Sequence, residues 1–211
     1  MSDTALMFFK PEFLPQDRER FLPLVREHLN DYGLVITADC EVFARDQKAI
    51  LFDRVYAKLL QNARQPFIEN KIGGYTYLEA TPEVTEEQLF DEWISPRNPA
   101  LCDGEDNYYL MKDGVRVVNP FCPYQRKRFV ESPVSVHLFL VRKSTPLPWG
   151  RIKPLFQGAP IQHEGNSSGV RGHLSRCSWY TPTTNGLHLS ASEMDAQRET
   201  YEVMDFFKDR R

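Results

Sequence analysis

The run Asn185-Gly186-Leu187-His188-Leu189-Ser190-Ala191-Ser192 places a histidine at the end of a short strand-like stretch and a serine two positions further on. A glutamate, Glu199, follows eleven positions after the histidine, in a segment with helical spacing. Histidine acts as a nucleophile only while its ring is neutral. Its second ring nitrogen then needs an acceptor that fixes the tautomer and stabilises the cation formed on attack. Glu199 can fill that role, directly or through Ser190. The turn from strand to helix also brings backbone N–H groups and a helix N-terminus close to the ring, an arrangement that suits phosphate.

Positioning these groups requires a strand before the histidine and a helix after it, and the rest of the chain supplies compatible elements. Residues 5–9 read as a short buried strand, which Pro11 ends by holding Lys10 extended. Phe21, Leu24, Val25, Leu29 and Tyr32 predict a helix over residues 16–31, with Gly33 as its stop. Residues 34–43 alternate as a second strand. Asp46 reads as the cap of a helix with Ile50, Leu51, Val55, Leu59 and Leu60 on one face.

The middle of the chain changes character. Gly73-Gly74 breaks the pattern, and Thr85 with Gln88 forms a capping box ahead of Leu89, Phe90, Trp93 and Ile94. Residues 98–105 read as loop. Lys112-Asp113-Gly114 between two runs of strand formers predicts a hairpin. Residues 119–128 form a proline-broken basic stretch whose Arg126-Lys127-Arg128 reads as a solvated face. Strand formers return at 134–141, followed by a Pro- and Gly-rich segment over 144–172. Residues 185–188 are a last short strand and 192–207 a helix. With the middle set aside, the order is close to βαββαβ: an α+β fold with an antiparallel sheet and helices on one face.

The 211 residues suit one domain carrying a large insertion, or one and a half domains. A net charge of -3 gives no global field for nucleic acid. Cys40, Cys102, Cys122 and Cys177 form no CxxC pair and no zinc spacing, so free thiols in a reducing compartment are expected. His28, His137, His163 and His173 match no metal-ligand spacing, so no protein-held metal is expected. The apolar run at 5–9 is too short for a signal peptide or a membrane span, which makes the cytoplasm the expected location.

The pattern N-x-x-H-x-S-x-S followed by A-Q-R-E resembles the active-site signature of nucleoside diphosphate kinases. Residues 5–12, Ala-Leu-Met-Phe-Phe-Lys-Pro-Glu, resemble that family's first strand ending in Lys-Pro-Asp. The resemblance implies a ferredoxin-like fold and a ping-pong cycle. In it, a histidine carries the terminal phosphoryl group of a nucleoside triphosphate, and Mg2+ arrives with the nucleotide. His188 matches the nucleophile, Ser190 and Glu199 its supporting pair, and Lys10 a contact to the transferred phosphate. Arg171 in Val170-Arg171-Gly172 matches another phosphate contact, and Asn185 a sugar and phosphate contact. Tyr56 resembles the tyrosine near the phosphates, Phe67 the base-stacking phenylalanine, and Arg151 the arginine on the outer phosphates. Gln157 stands at the spacing where the family has threonine.

Residues 68–132 have no family counterpart and read as an insertion, a helix and β-hairpin region, within a single domain of residues 1–211. Nucleoside tri- and diphosphates are the implied partners, nucleic acid and membrane are not, and a homo-oligomer is implied. Two other readings stand beside this one. The acceptor is a modified nucleotide or another specialised phosphate compound, with the insertion shaping the pocket. Alternatively, the chain is a nucleotide-sensing or scaffold domain with weak catalysis, a reading motivated by Gln157.

Overall fold

The computed structural model describes residues 3–95, 101–102, 108–159, 168–181 and 184–208. In chain order the elements are β1 (Thr4–Phe9), α1 (Pro15–Asp31), β2 (Leu34–Val42), α2 (Arg45–Val55), α3 (Ala57–Ala63), β3 (Lys71–Gly73), α4 (Gly74–Ala80) and α5 (Glu86–Ile94). There follow β4 (Leu101–Cys102), β5 (Tyr108–Lys112), β6 (Val115–Val118), α6 (Pro123–Glu131), β7 (Val136–Lys143), α7 (Trp149–Gln157), α8 (Gly169–Leu174), β8 (Leu187–Leu189) and α9 (Glu193–Lys208). The chain divides into two compact units, Met1–Leu51 with Ser132–Arg211, and Phe52–Glu131.

The first unit is built on a four-stranded sheet in the order β2-β7-β1-β8. Every neighbouring pair in it is antiparallel. β1 pairs with β7 from Thr4 opposite Arg142 to Phe9 opposite His137. On its other side Met7, Phe8 and Phe9 face Leu189, His188 and Leu187. This register sets His188 directly across from Phe8 and leaves β8 at the sheet edge.

Alternation along the strands puts Ala5, Met7, Phe9, Phe139, Val141, Leu187 and Leu189 on one face. There they meet Phe21, Val25 and Leu29 of α1, Trp149, Ile152 and Phe156 of α7, and Val170 and Leu174 of α8. Leu6, Phe8 and His188 point to the other face. Residues Ala5 to Phe9 are all fully buried, so both faces of β1 are covered. Glu199 of α9 reaches His188 on that second face. The expectation of helices on one face is corrected accordingly: a central strand apolar on both sides needs cover on both sides.

Prolines hid several helices. α7 and the start of α8 occupy the segment read only as Pro- and Gly-rich. Pro148 is the N-cap of α7, and Pro154 lies inside the helix. A proline at a helix start lacks only an N–H that has no partner within the helix. α6 likewise begins at Pro123, inside the stretch read as broken. Gly73-Gly74 does not end a pattern but joins β3 to α4. Asp46 sits within the first turn of α2 rather than capping it, and the expected long helix divides at Tyr56 into α2 and α3. The final strand is Leu187–Leu189, a shift from the expected 185–188. The loop reading at 98–105 lies outside the described residues except for 101–102, which form β4.

The second unit carries a four-stranded sheet in the order β3-β6-β5-β4. Its β5–β6 hairpin turns at Asp113 and Gly114, both at positive φ (50° and 79°), as a tight turn matched to strand twist requires. The capping box of Thr85 and Gln88 forms at the start of α5. Ile72, Leu89, Phe90, Trp93, Leu110, Val117 and Cys122 make its core. No helix among the described residues is long and apolar enough to cross a membrane.

Phe9 is fully buried, stacks on Phe13 at 4.7 Å between ring centroids and meets Phe139 edge-on at 5.2 Å. Replacing it with alanine is expected to cost about 3–5 kcal/mol, as for other large aromatic truncations in a closed core. Urea unfolding of the Phe9→Ala variant checks this; a loss under about 1 kcal/mol would mean the site collapses without a cavity.

Candidate active site

Four backbone and side-chain bonds tie β8 to the end of β1. Lys10 N donates to Gly186 O at 2.9 Å, and Ser190 N donates to Leu6 O at 3.0 Å. Leu6 N donates to Ser190 Oγ at 3.1 Å, and Gly186 N donates to Glu12 Oε1 at 3.1 Å. Gly186 turns the chain into β8 at φ 76°, where an added Cβ would fall 2.8 Å from the Phe13 ring. Only glycine meets both conditions.

His188 is 9 % exposed and held on two sides. Its ring stacks on Phe8, with centroids 4.5 Å apart and planes 16° from parallel. Its Nε2 lies 2.8 Å from Glu199 Oε2. The same oxygen accepts the Ser190 hydroxyl at 2.8 Å, while Oε1 accepts Arg198 Nη2 at 3.2 Å. A carboxylate in this position accepts a hydrogen bond from Nε2–H, so the lone pair of the neutral ring sits on Nδ1. Glu199 is placed by the start of α9, where Asp195 N donates to Ser192 Oγ at 3.0 Å. Two helical turns from that cap carry Glu199 back to the strand.

Four buried polar side chains gather before β8. Asn185 Oδ1 accepts Lys10 Nζ at 2.8 Å and Arg171 Nη2 at 3.1 Å. Arg171 also donates to Gly158 O and Leu187 O, both at 3.2 Å. Gln157 Nε2 donates to Leu187 O at 3.3 Å. Strand, α7 end and α8 thus meet at one carbonyl.

Burial, opposed by Glu12 and assisted by the charges of Arg171 and Lys153, pushes the Lys10 ammonium down to about 8. Burial also lowers the His188 imidazole below its ordinary value; Glu199 opposes this by charge and hydrogen bond, and Lys153 and Lys10 add to it. The ring is therefore neutral at neutral pH, as nucleophilic attack requires.

The structure brings together Lys10, Arg171, Asn185, His188, Ser190 and Glu199. Arg151 is exposed on the first turn of α7. Tyr56 and Phe67 belong to the second unit. Tyr56 is buried there against Phe121 at 4.7 Å, and Phe67 is 56 % exposed. Sequence reasoning missed Phe8 as the platform for the ring, Glu12 as the acceptor for Gly186, and Lys153. Phe8 was legible in principle, because strand pairing sets it opposite the histidine; Lys153 was hidden inside an unrecognised helix.

No family model and no curated protein matches this sequence. A solved structure of an NDP kinase from Pyrobaculum aerophilum aligns with 94 % of this chain and 93 % of its own, at 16 % identity and a TM-score of 0.45.

Two titrations check the electrostatics. Glu199→Gln removes the charge that raises the His188 value, so the imidazole should titrate at lower pH than in the wild type by NMR. An unchanged or higher value contradicts the assigned contact. Lys10 loses its charge as pH rises through about 8. Binding of inorganic pyrophosphate should weaken across that pH in wild type and less so in Lys10→Arg, whose guanidinium stays charged. Parallel pH profiles would mean that Lys10 does not contact the anion.

Proposed function

We propose that this protein is a phosphotransferase in which His188 carries the terminal phosphoryl group of a nucleoside triphosphate to a nucleoside diphosphate. The observation that carries this reading is the bond of Glu199 Oε2 to His188 Nε2 at 2.8 Å, beside buried cations. It aims the lone pair of a neutral imidazole from Nδ1 while keeping a counter-charge behind the ring. A ferredoxin-like βαββαβ reading of the first unit accords with its strand order and antiparallel pairing.

In the first half-reaction a bond forms between Nδ1 and the terminal phosphorus as the bond to the bridging oxygen breaks. The electron pair leaves with the nucleoside diphosphate. The ring becomes cationic, and Glu199 stabilises it with Ser190 holding the carboxylate in place. Lys10 and Arg171 offset the charge spread over the transferring group and the departing oxygen, and Asn185 keeps both side chains in register. In the second half-reaction a terminal oxygen of the acceptor diphosphate attacks phosphorus, and the pair returns to Nδ1. Magnesium is part of the substrate, carried on the phosphates. Soluble nucleotides are the partners of this reading, the cytoplasm its setting, and a homo-oligomer its assembly.

A second reading, a nucleotide-binding domain with weak catalysis, is favoured by Gln157. Its Oε1 is buried with no hydrogen-bond partner among the described residues, while its amide nitrogen holds Leu187 O. That side chain serves the fold of the strand.

His188→Asn should abolish incorporation of label from γ-labelled ATP into an acid-labile, base-stable adduct. Equal labelling of wild type and variant would refute the nucleophile. Glu199→Gln should slow transfer about 10²-fold or more while leaving nucleotide affinity within a few-fold. Tight nucleotide binding by wild type with no phosphohistidine would favour the second reading.

A further inference from the structure

β8 is an edge strand, and α7 reaches it at both of its ends. At one end of α7, an added Cβ on Gly150 would lie 3.5 Å from Ala191 O, just beyond the end of β8. At the other end Gln157 donates to Leu187 O, at the start of β8. Gly150, Lys153 and Gln157 are spaced i, i+3, i+7 and form one stripe of the helix. This stripe adjoins the one formed by Trp149, Ile152 and Phe156, which enters the core. The two ends of the outer stripe touch the two ends of the strand that bears His188. Its middle residue, Lys153, therefore stands level with the histidine.

We propose that Lys153 is a third cation for the polyphosphate at this site, acting with Lys10 and Arg171 on the terminal phosphates of a nucleoside tri- or diphosphate. The assignment rests on the phosphotransfer reading for its substrate class. Its electrostatic reach supports it: the charge of Lys153 depresses both the Lys10 ammonium and the His188 imidazole. Both influences agree with the place of Lys153 midway along the stripe whose ends meet β8. An ammonium on a four-carbon stem brings three donors and adapts to a moving phosphate more readily than a fixed guanidinium. The helix that carries it is clamped at its start, where Trp149 N donates to Glu193 Oε1 at 2.9 Å and Lys143 Nζ meets the same oxygen at 3.1 Å. Lys153 is thereby delivered from a rigid element.

The test uses the full chain, with Lys153→Met and Lys153→Arg, and inorganic tripolyphosphate with magnesium as the probe. Calorimetry gives affinity, and NMR follows the His188 imidazole through its titration. Lys153→Met should weaken tripolyphosphate binding about tenfold or more, as loss of a charge-assisted contact does. Lys153→Arg, which keeps the charge, should bind more tightly than Lys153→Met and more weakly than wild type. Without ligand, the imidazole of Lys153→Met should titrate at higher pH than in wild type, a change that a purely structural lysine would not produce. Binding by Lys153→Met within about twofold of wild type, an unmoved imidazole, or no tripolyphosphate binding by wild type would each overturn the proposal. Incubating wild type with γ-labelled ATP separates the two claims. If no phosphohistidine forms but tripolyphosphate binding still depends on Lys153, the transfer reading fails and the binding assignment stands.

Discussion

Burying a carboxylate is costly unless donors surround it. Glu199, at 4 % exposure, has His188 Nε2 and Ser190 Oγ on one oxygen and Arg198 Nη2 on the other. Meeting that requirement fixes much of the first unit. β8 must pair with β1 in the register that sets His188 and Ser190 on the same side. α9 must start at Ser192 so that its second turn returns to the strand. The Phe8 ring must lie flat under the imidazole. A one-residue slip of β8 would send His188 to the opposite, wholly apolar face and leave Glu199 without its main donor.

Local signals made part of this architecture readable. β1 announced itself by an apolar run that Pro11 cuts short. α1 showed its periodicity, and the turn at Asp113-Gly114 showed its positive-φ preference. His188, Ser190 and Glu199 were legible because their separations are short and lie across one strand-to-helix turn. Arg171 and Asn185 came only through resemblance, since Asn185 meets Lys10 across 175 residues and Arg171 joins them through the same Asn185 oxygen, contacts that leave no periodic trace. α7 was missed because prolines at its cap and within it mask a helix whose stability comes from burying Trp149, Ile152 and Phe156. Tertiary burial overrode a weak local preference there. Losing that helix from the reading also removed Lys153 from view.

The electrostatics of the site balance two opposed demands. A carboxylate beside a buried imidazole, acting alone, would raise its proton affinity and fill the lone pair that attack requires. Cations acting alone would keep the ring neutral but would oppose the positive charge it acquires on phosphorylation. Here both are present, and burial settles the resting state: the imidazole lies below its ordinary value and Lys10 falls to about 8. In the proposed cycle, an entering polyphosphate would shift the balance on the cation side, because its negative charge would restore the lysine's proton affinity and screen the cations from the ring. The carboxylate, already 2.8 Å from the imidazole, would then act with less opposition at the stage of that cycle when the ring turns positive. Under the proposed transfer, the cations that help hold His188 neutral in the free protein thus cease to oppose its phosphorylation once the substrate is bound.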